Sequence, residues 1–366
     1  MKKTIKFIGI ALVLLLVGSL VYVAIKRNSI PPPEKPAERN LAERVILERT
    51  FSPDSVQVLL AEPYSIHAIN GDSTIGRQVS VKNGFLNVSS ENRQMSFYAI
   101  DSDDTLLFAE RRIPTEGASN LRDLGGLFTK DGYQVKWGKL FRSDELSSLS
   151  DDDFELVSTL GVKSIIDFRT QTEVDEKPDT WPDLDKIDHL HIPIGVDMAG
   201  GNEEILENIN KENFDWDSLM YAANQGFAME FQNEYKKFFS LLLEEKQYPL
   251  LFHCTAGKDR TGFASLLVLS ALGVDLKTAL DEYLMTNYYT QGRNEEKIIT
   301  AAAIYGINPE NLRKVMGVKM EFIQGALDSI NKEYGSIDQY LCDALGICEE
   351  EKEKLKIQLL YKYPRS

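Results

Sequence analysis

HCTAGKDRTG, residues 253–262, follows directly on the apolar run Tyr248-Pro-Leu-Leu-Phe252. A short apolar run closed by a glycine loop, with helical spacing behind it, reads as a buried strand, a turn and a helix entered at about Arg260. In sheets covered by helices, ligands lie beyond the carboxyl ends of the strands. A glycine-containing loop that feeds a helix N-terminus aims backbone N–H groups into one concave space, and such a space binds tetrahedral oxyanions. The same field favours a thiolate. Cysteines at helix N-termini or beside cations titrate at ~3.5–7.5 rather than ~8.5, so Cys254 is expected to be ionised at neutral pH. Arg260, six residues on, can fork onto two phosphate oxygens. Thr255, Ala256, Gly257 and Lys258 form the loop between them, and His253 is placed to orient it through backbone and ring hydrogen bonds. A nucleotide-binding loop fits poorly, because Asp259 follows Gly257-Lys258 where a Ser or Thr would be needed.

Outward from this loop, strands and helices alternate. Residues 137–142, 162–168 and 189–194 read as further strands, and Ser150-Asp-Asp-Asp153 opens a helix with capping chemistry. The expected class for 115–366 is α/β, a parallel-dominated sheet flanked by helices. Residues 196–247 are too long for a plain connection and carry helical spacing, so a lid or helical insertion is expected. From Leu276 to Tyr363 the pattern is helical, with Gly306, Gly325, Gly335 and Gly346 as terminators. Residues 42–114 alternate with period two between turn signals, which predicts a small β-domain, a sandwich, with a partner the sequence does not name. Residues 29–41 are a proline-rich spacer.

Lys2, Lys3 and Lys6 precede an uncharged apolar stretch from Phe7 to Ile25, closed by Lys26 and Arg27. That length suits the ~30 Å hydrocarbon core, so residues 1–28 are expected to be a membrane anchor, the rival being a cleaved secretory signal. Either places the body of the protein outside the cytoplasm. The formal charge of −15 argues against nucleic acid or anionic lipid as a general partner, so an anionic substrate needs a local basic pocket. Cys254, Cys342 and Cys348 are too few for a disulfide framework and lack zinc-ligand spacing; Cys342 and Cys348, beside Leu341, Leu345 and Ile347, are expected to pack in the core.

The His-Cys-x5-Arg-Thr signature resembles the protein tyrosine phosphatase superfamily. Asn120-Leu-Arg-Asp-Leu-Gly-Gly126, Leu140-Phe-Arg-Ser143, Ile165-Ile-Asp-Phe-Arg169 and the run 257–262 occur in the order of the bacterial tyrosine phosphatase family 3, similar to the mycobacterial secreted and Listeria lipid phosphatases. The resemblance implies a cysteine-phosphatase fold and a phosphocysteine intermediate without metal or other cofactor. It also implies phosphotyrosine, and in breadth phosphoserine, phosphothreonine or phosphoinositide, as substrate. Lys258, a second cation in the loop, would suit a substrate with more than one phosphate; its plain reading is a solvated lysine. Thr261 can donate its hydroxyl to Cys254 and ease its departure.

The general acid stays open between Asp259 in the loop, Asp167 at a strand end, and Asp197 after the third strand. Asp167 is alternatively a brace for Arg169, and Trp181-Pro-Asp183 is read as a coincidental likeness to an acid loop. Arg122, Asp123 and Arg142 either line the pocket or form buried ion pairs at a turn. A catalytically silent phosphate-binding protein and a sulfurtransferase are the rival functions.

Overall fold

The structure is a computed structural model that describes residues 22–30, the segments 45–49, 55–60, 65–69, 75–78, 85–87 and 96–100, then 105–195, 209 and 214–361. The anchor stretch Phe7–Ile25 lies almost wholly outside these residues, as does most of the proline-rich spacer. Among the described residues no helix is long and apolar enough to cross a membrane.

The N-terminal strands form two antiparallel sheets, as their period-two pattern predicts. One holds β1 (Val45–Arg49), β2 (Ser55–Leu60) and β5 (Phe85–Asn87); the other has the order β4 (Ile75–Gln78), β3 (Ser65–Ile69), β6 (Ser96–Ile100), β7 (Thr105–Ala109). Phe97 and Phe108 sit opposite each other in the register of β6 and β7, with ring centroids 5.7 Å apart. Such cross-strand aromatic pairs are a main source of sheet stability.

The rest of the described chain is built on a five-stranded sheet of order β12 (Asp188–His191), β11 (Ser164–Asp167), β13 (Leu250–His253), β10 (Leu140–Ser143), β8 (Arg122–Asp123). The first four run parallel and β8 is antiparallel to β10. β9 (Gln134–Val135) pairs separately with β14 (Leu360–Tyr361) near the chain's end. Every residue of β10, β11 and β13 is buried, the pattern of strands covered on both faces. Leu250 and Phe252 enter the core that holds Phe238 and Phe263, whereas Leu251 faces the opposite core with Leu156, Val157 and Trp181.

The helices that cover the sheet are α1 (Asp151–Ser158), α2 (Gln171–Glu176), α3 (Trp216–Glu230), α4 (Gln232–Leu242), α5 (Asp259–Ala271), α6 (Leu276–Tyr305), α7 (Pro309–Met316), α8 (Met320–Tyr334), α9 (Ile337–Asp343) and α10 (Glu349–Leu359). Ser150 caps α1 in a full capping box with Asp153, as its sequence predicts. The insertion expected at 196–247 supplies α3 and α4, while residues 196–208 and 210–213 lie outside the described residues.

Two C-terminal expectations need correction. Gly306 and Gly335 do end α6 and α8 in the left-handed conformation, but Gly325 sits inside α8. A Cβ there would lie 2.1 Å from the Tyr221 carbonyl oxygen of α3, so this glycine is a contact surface between two helices and not a terminator. Cys342 and Cys348 do not simply pack as thiols: they form a disulfide across the turn between α9 and α10. Cys254 is the remaining free cysteine.

Candidate active site

β13 lies in the middle of the sheet, so the loop that leaves it at His253 is flanked on both sides by parallel strands ending at the same edge. The loop's carbonyls are tied outward. Glu145 N donates to Thr255 O at 3.1 Å, Asn120 Nδ2 to Ala256 O at 3.1 Å and Gly257 O at 2.9 Å, and Arg142 Nη2 to Gly257 O at 2.6 Å. Peptide units turned this way direct their N–H groups to the concave side, beside the first turn of α5. Gly257 allows it: φ is +62°, and a Cβ would lie 2.4 Å from Ser143 O.

Cys254 is 2% exposed at the mouth of this loop. Arg260 is fixed along one edge. Its Nη1 donates to Glu173 Oε2 at 2.7 Å, and to Ile194 O and Phe168 O; its Nη2 donates to Glu173 Oε1 at 2.8 Å and Thr255 Oγ1 at 3.4 Å. Thr255 in turn donates to Glu173 Oε1. Burial raises the Glu173 carboxyl's affinity for its proton, but Arg260, Thr255 and the Thr170 amide outweigh it and bring the pKa down to about 2. Arg260 responds in kind: burial works against its charge, yet Glu173 and Cys254 raise it. Glu173 was not among the predicted residues. Its signal was present nonetheless, since Thr170 and Glu173 form a capping box that opens α2 just after β11.

Asp259 is the first residue of α5 and 7% exposed. Tyr283 Oη donates to its Oδ1 at 3.3 Å and Lys258 Nζ stands 3.4 Å from Oδ2. Lys258 is neither solvated nor turned to the loop's mouth. It donates to Val315 O at 2.5 Å and Gly317 O at 3.2 Å, which ties the loop to the connection between α7 and α8. Thr261 is fully buried and its Oγ1 has no hydrogen-bond partner among the described residues, so the expected bond to Cys254 is not formed.

Asp167 is not free to move protons. Arg169 Nε contacts both of its oxygens at 3.0 Å and Nη2 reaches Oδ2 at 2.7 Å, the brace that the sequence left as the alternative. Asp183 is exposed and paired with Lys186, consistent with a coincidental motif, and Asp197 lies outside the described residues. Arg122, Asp123 and Arg142 are all fully buried in ion pairs and turns, the second of their two readings. Burial pushes Asp123 up to about 6 against the Gly125 and Gly138 amides that bond it.

His253 is fully buried. Its Nε2 lies 2.9 Å from Asp179 Oδ2, off the axis of a hydrogen bond, so the contact is chiefly one of charge. Burial disfavours the imidazolium, but Asp179 and then Asp167 outweigh it and raise the pKa. His189 contacts the same Asp179 oxygen from the surface at 3.1 Å. Asp167, Asp179, His189 and His253 thus group donor atoms in a way that could hold a metal. Arg169 is bonded to both carboxylates and both histidines stand against Asp179, so these donor atoms already have partners of their own.

Residues 113–361 match the profile of a family described as the tyrosine phosphatase family. A protein of Cupriavidus necator named as a tyrosine-protein phosphatase is 31% identical over 230 residues, 63% of this chain and 82% of that one. The tyrosine-protein phosphatase of Nostoc commune is 29% identical, covering 60% of this chain and 73% of its own. The triple specificity protein phosphatase PtpB of Mycobacterium tuberculosis is also 29% identical, over 69% of this chain and 99% of its own length.

Proposed function

The chain belongs to the tyrosine phosphatase family, and on that footing we propose that Cys254 takes the phosphoryl group from a phosphotyrosine ester and passes it to water. The observation that carries this reading is a buried thiol within electrostatic reach of a guanidinium whose terminal nitrogens are fixed by Glu173, with Nε outside those bonds and Nη2 otherwise held only by a 3.4 Å contact to Thr255, so that this edge can take phosphate oxygens. In the first step the Cys254 thiolate forms an S–P bond as the ester P–O bond breaks, and Asp259 gives its proton to the leaving oxygen. In the second step a water attacks phosphorus and passes a proton to Asp259. The S–P bond breaks and the thiolate is restored. Loop amides and Arg260 hold the equatorial oxygens through both steps. Thr261, whose buried hydroxyl has no partner among the described residues, would turn toward Cys254 to stabilise the departing sulfur.

The breadth named for the mycobacterial relative supports acceptance of esters beyond phosphotyrosine. Lys258 no longer adds weight to a substrate with several phosphates, because its ammonium is bound to backbone carbonyls. The membrane-anchored or secreted placement outside the cytoplasm gains support from the Cys342–Cys348 disulfide, since such bonds persist in oxidising compartments. Protease digestion of intact cells checks the placement: survival of the catalytic region in cells whose outer layers admit the protease would rule it out.

The test of the reaction is hydrolysis of para-nitrophenyl phosphate, a phosphotyrosine peptide and a phosphoinositide panel by the full chain, wild type against Cys254→Ser and Asp259→Asn. Cys254→Ser should abolish turnover. Asp259→Asn should slow the peptide more than the nitrophenyl ester, whose good leaving group needs little protonation. Turnover that survives in Cys254→Ser would overturn the mechanism.

A further inference from the structure

Beneath the loop, on the side away from its mouth, three guanidinium groups meet one carboxylate. Arg122 Nε of β8 lies 2.8 Å and Arg142 Nη1 of β10 3.2 Å from Glu282 Oε1 of α6, and Arg111 Nη2 lies 3.0 Å from Oε2. All four side chains are at most 1% exposed. Even when Arg111 is set against its neighbour Asp123, two guanidinium charges under the loop stand against one carboxylate. A buried charge without a counter-charge is strongly destabilising, and arginine does not escape by losing its proton. Arg142 feels this most: burial and then Arg122 lower it to about 9, while Glu282 and Cys254 pull it back up. The groups that face it are Arg122 from β8, Glu282 and Tyr283 from α6, and Cys254 from the loop. Asp259 of α5 lies one step further off, against Tyr283 Oη, and carries a proton in the resting enzyme of the mechanism above, so Cys254, or a phosphate bound over it, is left to supply the missing negative charge.

We propose that the Arg122–Arg142–Glu282 cluster is an electrostatic positioning device for the reaction's anions, with Arg142 as the positioning residue that couples it to the loop. Arg142 holds Gly257 O with one nitrogen and Glu282 with another, so the surplus positive charge stands directly behind the peptide units that cradle phosphate. The surplus is balanced when the Cys254 thiolate forms and again when the phosphate dianion enters. This assignment rests on the reading of Cys254 as the nucleophile.

The experiment is the pH dependence of Cys254 alkylation by iodoacetamide in the full chain, where Cys254 is the one cysteine outside the disulfide, for wild type, Arg142→Gln, Arg142→Lys and Glu282→Gln. One charge moved at this depth shifts the midpoint by about one pH unit, roughly tenfold in thiolate ratio. The expected results have opposite signs: Arg142→Gln moves the midpoint up, Glu282→Gln moves it down, and Arg142→Lys, which keeps the charge, stays closer to wild type. A purely structural cluster would loosen the loop in either variant and move both midpoints up. Shifts of the same sign, or none, in variants that still melt cooperatively would overturn the assignment. If Arg142→Gln does not fold, the sign of Glu282→Gln decides alone. A wild-type midpoint at or above that of free cysteine, ~8.5, would instead overturn the nucleophile reading itself.

Discussion

Replacing Glu173 by Gln should slow the enzyme sharply while leaving every residue of the loop itself in place. The substitution keeps the side chain's shape and one acceptor, but removes the charge that receives both terminal nitrogens of Arg260 and the Thr255 hydroxyl. The carboxyl falls from 4.5 to about 2 in the folded protein, and each pKa unit corresponds to 1.36 kcal/mol. Because the Glu173 side chain is 30% exposed, solvent screening discounts the full figure, leaving about 2 kcal/mol. If Arg260 must be held on this edge to present its other edge to phosphate, roughly that amount is lost from transition-state binding, a fall of ~30-fold in kcat/KM. The shift is downward, so the stabilisation is whole above about pH 4.5 and disappears as pH falls through about 2. The assay is kcat and KM on para-nitrophenyl phosphate beside a thermal melt of each protein, with Glu173→Asp as a charge-retaining control. A Glu173→Gln enzyme within threefold of wild type would refute the claim that this ion pair sets the clamp.

Gly325→Ala should lower stability by about 3 kcal/mol or more, because its methyl group would collide with the Tyr221 backbone and force α3 away from α8; thermal melting reads this directly, and an unchanged Tm would contradict the contact. Lys258→Met should leave relative rates on mono- and polyphosphorylated substrates unchanged while costing ~1–2 kcal/mol, the worth of a charged donor to two carbonyls. A selective loss on polyphosphates would return Lys258 to the binding site. Replacing Cys342 and Cys348 by Ser should cost about 2 kcal/mol for so short a closed loop. Mass spectrometry before and after reduction checks the pairing, and urea midpoints check the cost.

What the sequence displayed well was whatever is contiguous. Strand, loop and helix from Tyr248 to Ala271 lie in one stretch, and the apolar spacing of β10, β11 and β13 announces strands buried on both faces. What it hid was convergence. A capping box marks Glu173 as a helix start, but neither it nor anything near Glu282 announces that these carboxylates end on Arg260 and on three arginines, because those contacts join segments far apart in the chain. Asn120, which bonds two loop carbonyls, was visible only as part of a turn. Asp167 looked like an acid and a brace at once; the position of Arg169, two residues on, decided for the brace only when both side chains were placed. Gly325 misled because glycine interrupts helices by propensity, and a close helix crossing overrode the propensity. Lys258 misled because a loop lysine can reach either the ligand or its own scaffold, and the α7–α8 carbonyls happened to lie within its length.

The cysteine arrangement also bears on how the chain matures. In an oxidising space the newly made polypeptide has three thiols, and only one pairing leaves the enzyme active. Cys342 and Cys348 are six residues apart, whereas Cys254 is about 90 residues from either, so chain statistics favour the local partner by about 2.4 kcal/mol, on the order of fiftyfold. Competition among the thiols is therefore biased, before any tertiary structure forms, toward the bond that spares the nucleophile. Once Cys342 and Cys348 are joined, no second thiol remains in the chain to capture Cys254.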